Sequence, residues 1–100
     1  MTRMTMKYLE ARVEYLNKLT DNPLTPWSQN KAGKFRANIG NYHLDGAYGG
    51  WQLVQHMNEG GGVTVPLSTG HVSKRELAEK LDAFISGLEL GKDRGQQCLY

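Results

Sequence analysis

One hundred residues, of which 39% are hydrophobic and 22% charged, suffice for one folded domain with one core and leave no room for a second substantial one. That composition excludes wholesale disorder, and a formal net charge of +2 permits an acidic partner without requiring one, since phosphate recognition depends on clustering. No apolar run is long enough to cross a bilayer and the first residues carry no secretory leader, while one cysteine, Cys98, excludes an intrachain disulfide and makes a reducing cytoplasm the expected compartment.

The first predicted element is a helix over Thr5 to Leu19. Tyr8, Leu9, Val13, Leu16 and Leu19 recur at helical spacing, with Arg12 and Tyr15 bordering the stripe. Glu10 and Glu14 repel modestly at four residues' separation, whereas Glu14 and Lys18 form a pair in the favourable orientation. Asn22-Pro23 supplies the stop, because proline disfavours a helical residue before it.

Pro23 to Lys34 reads as a connection, with Pro23 and Pro26 opposing regular structure and Asn30-Lys31-Ala32-Gly33 carrying turn chemistry. Trp27 either pins this connection to the core or offers an exposed contact, and the anchor is the ordinary role of a lone loop tryptophan. Phe35, Ala37 and Ile39 alternate with Arg36 and Asn38, which predicts a strand that continues through Tyr42 and Leu44 with a bulge at Gly40 or Asn41. Lys31, Lys34 and Arg36 make this the notably positive section, as a solvated rim or as phosphate contacts.

Between Asn41 and Val65 lies the densest patterning. With Gly49-Gly50 as a two-residue turn, Tyr48 opposes Trp51, His43 opposes His56, Leu44 opposes Gln55 and Tyr42 opposes Met57. One face then carries Tyr42, Leu44, Tyr48, Trp51, Leu53 and Met57; the other carries His43, Asp45, Ala47, Gln52, Val54 and His56. The first is a core face and the second a mostly polar outer face. A turn at Asp45-Gly46 ranks second because it places Gly49 and Gly50 in the returning strand. Asn58-Glu59-Gly60-Gly61-Gly62 reverses the chain into a third strand at Val63 and Val65, limited by Pro66. These glycines lack the lysine and following helix of a phosphate loop, so a structural turn is the better reading.

Ser73 caps the last helix, with Glu76 three residues on completing a capping box and Val72 and Leu77 as its staple. Leu77, Leu81, Phe84, Ile85 and Leu88 form its apolar stripe, Gly91 is the expected C-cap, and a flexible tail is expected from about residue 92. The fold class is therefore α+β: a small antiparallel three-stranded sheet packed against N- and C-terminal helices in the order α-β-β-β-α.

The combination of AYGGWQLV, NEGGGV, SKREL and AFISGL resembles a group of small phage- or prophage-encoded proteins of no established biochemical role, over about residues 41–90. The resemblance implies a phage accessory protein in a host cytoplasm and brings no catalytic residue with it. The element order also resembles that of double-stranded-RNA-binding domains, in which a basic helix start meets phosphate. Here Ser73-Lys74-Arg75 occupies that place, with Glu76 and Glu79 following and the basic cluster of that family incomplete.

Chemistry is sparse. His43 and His56 with Asp45 and His71 could be gathered as metal ligands, yet a pair of histidines on a sheet surface or dimer interface is the simpler account. Cys98 has no CxxC partner and no activating neighbour. No nucleophile, base and electrostatic stabiliser connect, so an enzyme ranks last, and neither cofactor nor metal is called for. The leading expectation is protein–protein interaction or homo-oligomerisation through an exposed sheet surface bearing Trp27, His43, Gln52 and His56, with a host or phage protein or a second copy as partner. The second is nucleic-acid binding through Lys31, Lys34, Arg36, Lys74 and Arg75.

Overall fold

A computed structural model describes residues 5–97, with side chains through Gly91. Helix α1 (Met6–Leu19) starts where Thr5 accepts a hydrogen bond from the Tyr8 N–H and ends with Lys18 in its last turn, where a cation favours the helix dipole. Five strands follow: β1 (Trp27–Gln29), β2 (Phe35–Ala37), β3 (Tyr42–Ala47), β4 (Gly50–His56) and β5 (Val63–Thr64), and then helix α2 (Lys74–Gln97). The α+β class with two flanking helices stands. The strands form two antiparallel sheets, however, a β1–β2 ribbon and a β3–β4–β5 sheet, where the sequence predicts a single three-stranded one.

The division falls at Gly40. Its φ of +93° turns the chain between β2 and β3, its N–H donates to the His56 carbonyl, and a Cβ there would stand 2.4 Å from Asn22 Oδ1. Strand β2 consequently cannot run on into β3 and pairs instead with β1, in the register Trp27 to Ala37 and Gln29 to Phe35. Asn38 secures the root of this ribbon: its Nδ2 donates to the Thr25 carbonyl, its Oδ1 accepts from the Ser28 hydroxyl, and its N–H donates to the Pro26 carbonyl. These side-chain ties supply a strand where two prolines suggested only a connection.

Strands β3 and β4 pair Tyr42 with Gln55, His43 with Val54, Leu44 with Leu53 and Gly46 with Trp51. The turn is thus Tyr48-Gly49, with φ of +54° and +74°, the signature of a type I′ hairpin. The partners lie two residues from the expected Gly49-Gly50 register, so the side chains within β3 and β4 keep their expected faces, whereas Tyr48 leaves the expected core face for the exposed turn and Met57 lies exposed beyond β4. Gly50 is withheld from the turn by a tertiary contact. The Trp51 N–H and carbonyl exchange hydrogen bonds with Val72, and a Cβ on Gly50 would meet the His71–Val72 backbone at 3.0 Å.

Leu9, Val13 and Leu16 of α1, Leu77, Ala78, Leu81 and Ile85 of α2, and Tyr42 and Leu53 of the sheet form the core. Ser73 Oγ accepts from the Glu76 N–H at 3.2 Å, the serine half of the expected capping box. Helix α2 runs past the expected cap at Gly91 to Gln97, and Cys98, Leu99 and Tyr100 lie outside the described residues. Among the described residues no helix is long and apolar enough to cross a membrane.

Candidate functional site

The outer edge of β3 is left open by the hydrogen-bond pattern. His56 donates to the Asn41 carbonyl on the β3 side, whereas Trp51 exchanges both of its bonds with Val72 on the opposite side. Because hydrogen-bonded and non-bonded pairs alternate along an antiparallel ladder, His43, Asp45 and Ala47 aim their backbone groups at β4. Tyr42, Leu44 and Gly46 therefore aim theirs outward.

The Tyr42 groups are taken by α1: Asn17 Nδ2 donates to the Tyr42 carbonyl at 3.0 Å and the Tyr42 N–H donates to Asn17 Oδ1 at 2.8 Å. Those of Leu44 and Gly46 have no partner among the described residues. Sheets usually blunt such an edge with a charge, a proline or a covering segment; Asn17 covers β3 at Tyr42, and the exposed Asp45 carboxylate stands between the Leu44 and Gly46 rungs on the opposite face.

A groove of about 700 Å³ runs beside this edge. Its α1 wall is a stripe of Met6, Glu10, Val13, Glu14 and Asn17, spaced so that they share one helix face. Leu24, Thr25 and Pro26 line it from the connection after α1, and Asn41, Tyr42, His43, Leu44 and Trp51 from the sheet side. Among the described residues no lysine or arginine lines it. Glu14 pairs with Lys18 at 3.3 Å, an exposed contact, and Glu10 has no ion pair among the described residues.

The opposite face of the sheet holds the histidines. His43 lies across from Val54 rather than from His56, and the two imidazoles meet diagonally with centroids 4.6 Å apart. Burial, then the neighbouring His56, push the His43 pKa below 6.5, against the opposing pull of Asp45. His56 is only 2% exposed, capped edge-on by Trp27 with centroids 5.0 Å apart, so it is withdrawn from the surface on which a contact role was expected. Trp27 acts as the expected anchor, packing on His56 and over Gly61, while remaining 44% exposed.

Gln52 and His71 both bind the Asp45 carboxylate, at 3.2 and 2.9 Å, and these bonds hold its pKa below the usual value, His71 first. His71 thus belongs to Asp45 and not to the His43–His56 pair. Among the described residues no three His, Cys, Asp or Glu side chains are grouped as metal ligands.

The basic residues divide between two elements. Lys31 sits in the ribbon turn built on Asn30, whose Oδ1 accepts from the Ala32 and Lys34 N–H groups. Lys34 precedes Phe35, which is 69% exposed, and Arg36 reaches Glu59 at 3.6 Å. Lys74 and Arg75 open α2 instead.

Asn17 escaped the sequence reading, although it stands four residues after Val13 on the apolar face of α1, and a polar residue placed there signals a buried hydrogen-bonding task. The open edge carried no such signal, because it depends on which carbonyl faces which strand. No family model, curated protein or solved structure matches this chain.

Proposed function

We propose that the protein is an accessory protein of phage type that works by binding another protein chain, and that it presents the β3 edge rather than the polar sheet face. The observation that carries this is the pair of unpartnered outward rungs at Leu44 and Gly46 beside a groove of about 700 Å³. An extended peptide adds to such an edge through main-chain hydrogen bonds, and the adjoining groove reads its alternate side chains. The phage attribution is supported by the sequence motifs alone.

Selection of a displayed random-peptide library on the full-length protein, followed by amide mapping of the winners, tests this reading. Enriched extended peptides that shift the Leu44, Asp45 and Gly46 amide resonances are the expected result. Enrichment that maps to Gln52 or Trp27 would return the site to the sheet face, and no enrichment would sink the proposal.

A second reading is favoured by one feature, an exposed Phe35 flanked by Lys34 and Arg36 on a two-stranded ribbon, in a stretch from Asn22 to Leu44 without a single carboxylate. Stacking on an aromatic among cations suits single-stranded nucleic acid. Titration with fluorescent single-stranded and duplex probes at low salt decides it. Binding should weaken, with a shallower salt dependence, in Lys31→Ala/Lys34→Ala, and an absence of signal for both probes removes this reading.

A further inference from the structure

We infer that the segment accepted by the β3 edge is an extended chain carrying a lysine or arginine beside Leu44, read by Glu10 and Glu14; this rests on the edge-docking reading above. Asn17 sets the register. Its carboxamide already occupies the Tyr42 rung, so an added strand begins its pairing at Leu44 and continues to Gly46.

Residues directly opposite one another in a sheet place their side chains on the same face. Leu44 belongs to the face packed by α1 and the core, so the incoming residue opposite Leu44 extends its side chain toward the α1 stripe. Along that stripe the apolar Met6 and Val13 alternate with Glu10 and Glu14. A lysine or arginine fits both parts: its methylene stem lies along the apolar residues and its charged head reaches the carboxylates. An acidic residue in that place would face the Glu10 and Glu14 carboxylates, of which Lys18 offsets Glu14 alone.

The same charges argue against the other occupants. Pairing β3 with β3 of a second copy would bring two Glu10–Glu14 stripes toward one junction, with Lys18 offsetting Glu14 alone. Nucleic acid would set phosphates against the same carboxylates.

The test uses the full-length protein and three capped, strand-forming peptides of one length, with lysine, norleucine or glutamate at the central position. Amide shifts at Leu44 and Gly46 report the site and fluorescence anisotropy reports affinity. The lysine peptide should bind tightest, the norleucine peptide more weakly and the glutamate peptide about tenfold more weakly than lysine. Glu10→Gln and Glu14→Gln, both at exposed positions, should each weaken the lysine peptide by roughly two- to five-fold and leave norleucine binding unchanged. Glu10→Lys should shift preference toward the glutamate peptide. If all three peptides shift Leu44 and Gly46 with equal affinity, the edge stands and the charge inference falls. If none shifts them, edge docking falls as well. A concentration-dependent dimer by light scattering that perturbs Leu44 and Gly46 and resists the lysine peptide would assign the edge to a second copy and overturn the inference.

Discussion

The Asn17 carboxamide pairs with the Tyr42 backbone as an adjacent strand would, donating to the carbonyl at 3.0 Å and accepting from the N–H at 2.8 Å. One side chain thereby joins α1 to β3 and ends the open edge. Both residues are buried, so removing the amide strands a donor and an acceptor away from water, at about 1–3 kcal/mol for each group. Asn17→Ala should lower the free energy of unfolding by about 2–4 kcal/mol in urea titrations. Asn17→Leu, similar in volume but unable to pair, should lose about as much. A loss well below 1 kcal/mol in both would show that the Tyr42 groups find other partners.

The hairpin turn is conformationally unfavourable at its first position. Tyr48 holds φ at +54° and is 97% exposed, with an edge-on ring contact to His71 at 5.6 Å in return. Asparagine tolerates the left-handed region far better, and Asn-Gly is the preferred type I′ pair. Tyr48→Asn should therefore stabilise the protein by about 0.5–1 kcal/mol, read as a higher urea midpoint at unchanged slope. A lower midpoint would mean that the Tyr48–His71 contact outweighs the backbone strain.

This hairpin also shows where sequence reasoning reaches its limit. Alternation assigned every side chain of β3 and β4 to its observed face, and the helix stripes located Leu9, Val13, Leu16, Leu77, Leu81 and Ile85 in the core. Both signals are periodic and local. The register depended instead on Val72 approaching Gly50 from 22 residues away, and the β1 strand on Asn38 reaching back to Thr25. Likewise, the histidines were correctly placed on one face, but only the ribbon folding over them reveals that His56 is covered while Leu44 and Gly46 are left open.

His43 sets a pH dependence whose sign follows from burial. Its folded pKa lies below 6.5, chiefly because the charged form is poorly solvated beside His56. The contribution is fully present above 6.5 and is lost as pH falls through the depressed folded value, since the unfolded chain takes up the proton first. Unfolding free energy should thus decline as pH falls below about 6.5, with a shallower decline in His43→Gln. Asp45 acts in a separate, more acidic window, because His71 and Gln52 hold its carboxyl below 3.8. NMR titration placing the His43 pKa above 6.5 would reverse the sign and refute the assignment.

Asp82 links the two helices, accepting from the Tyr8 hydroxyl at 2.7 Å and from Arg12 Nε at 2.9 Å. The groups are partly exposed, which screens the pair, so Asp82→Ala should cost about 1 kcal/mol. A double-mutant cycle with Arg12→Ala should return a coupling of about 0.5 kcal/mol, and zero coupling would make the bridge incidental.

Gly46 places the Trp51 indole against the groove. The ring crosses its strand partner so closely that a Cβ on Gly46 would lie 2.7 Å from Trp51 Cζ3 and 2.9 Å from Cη2. Alanine would favour the extended backbone over glycine, but that gain is smaller than the overpacking cost of about 1–3 kcal/mol. Gly46→Ala should accordingly be destabilising and should displace the indole, altering the groove wall beside Met6 and Leu44. In a Trp27→Phe background, where emission comes from Trp51 alone, a shifted emission maximum in the native state would report that displacement. Unchanged emission together with unchanged stability would mean that the ring yields without cost, and the groove would then be more adaptable than its packing implies.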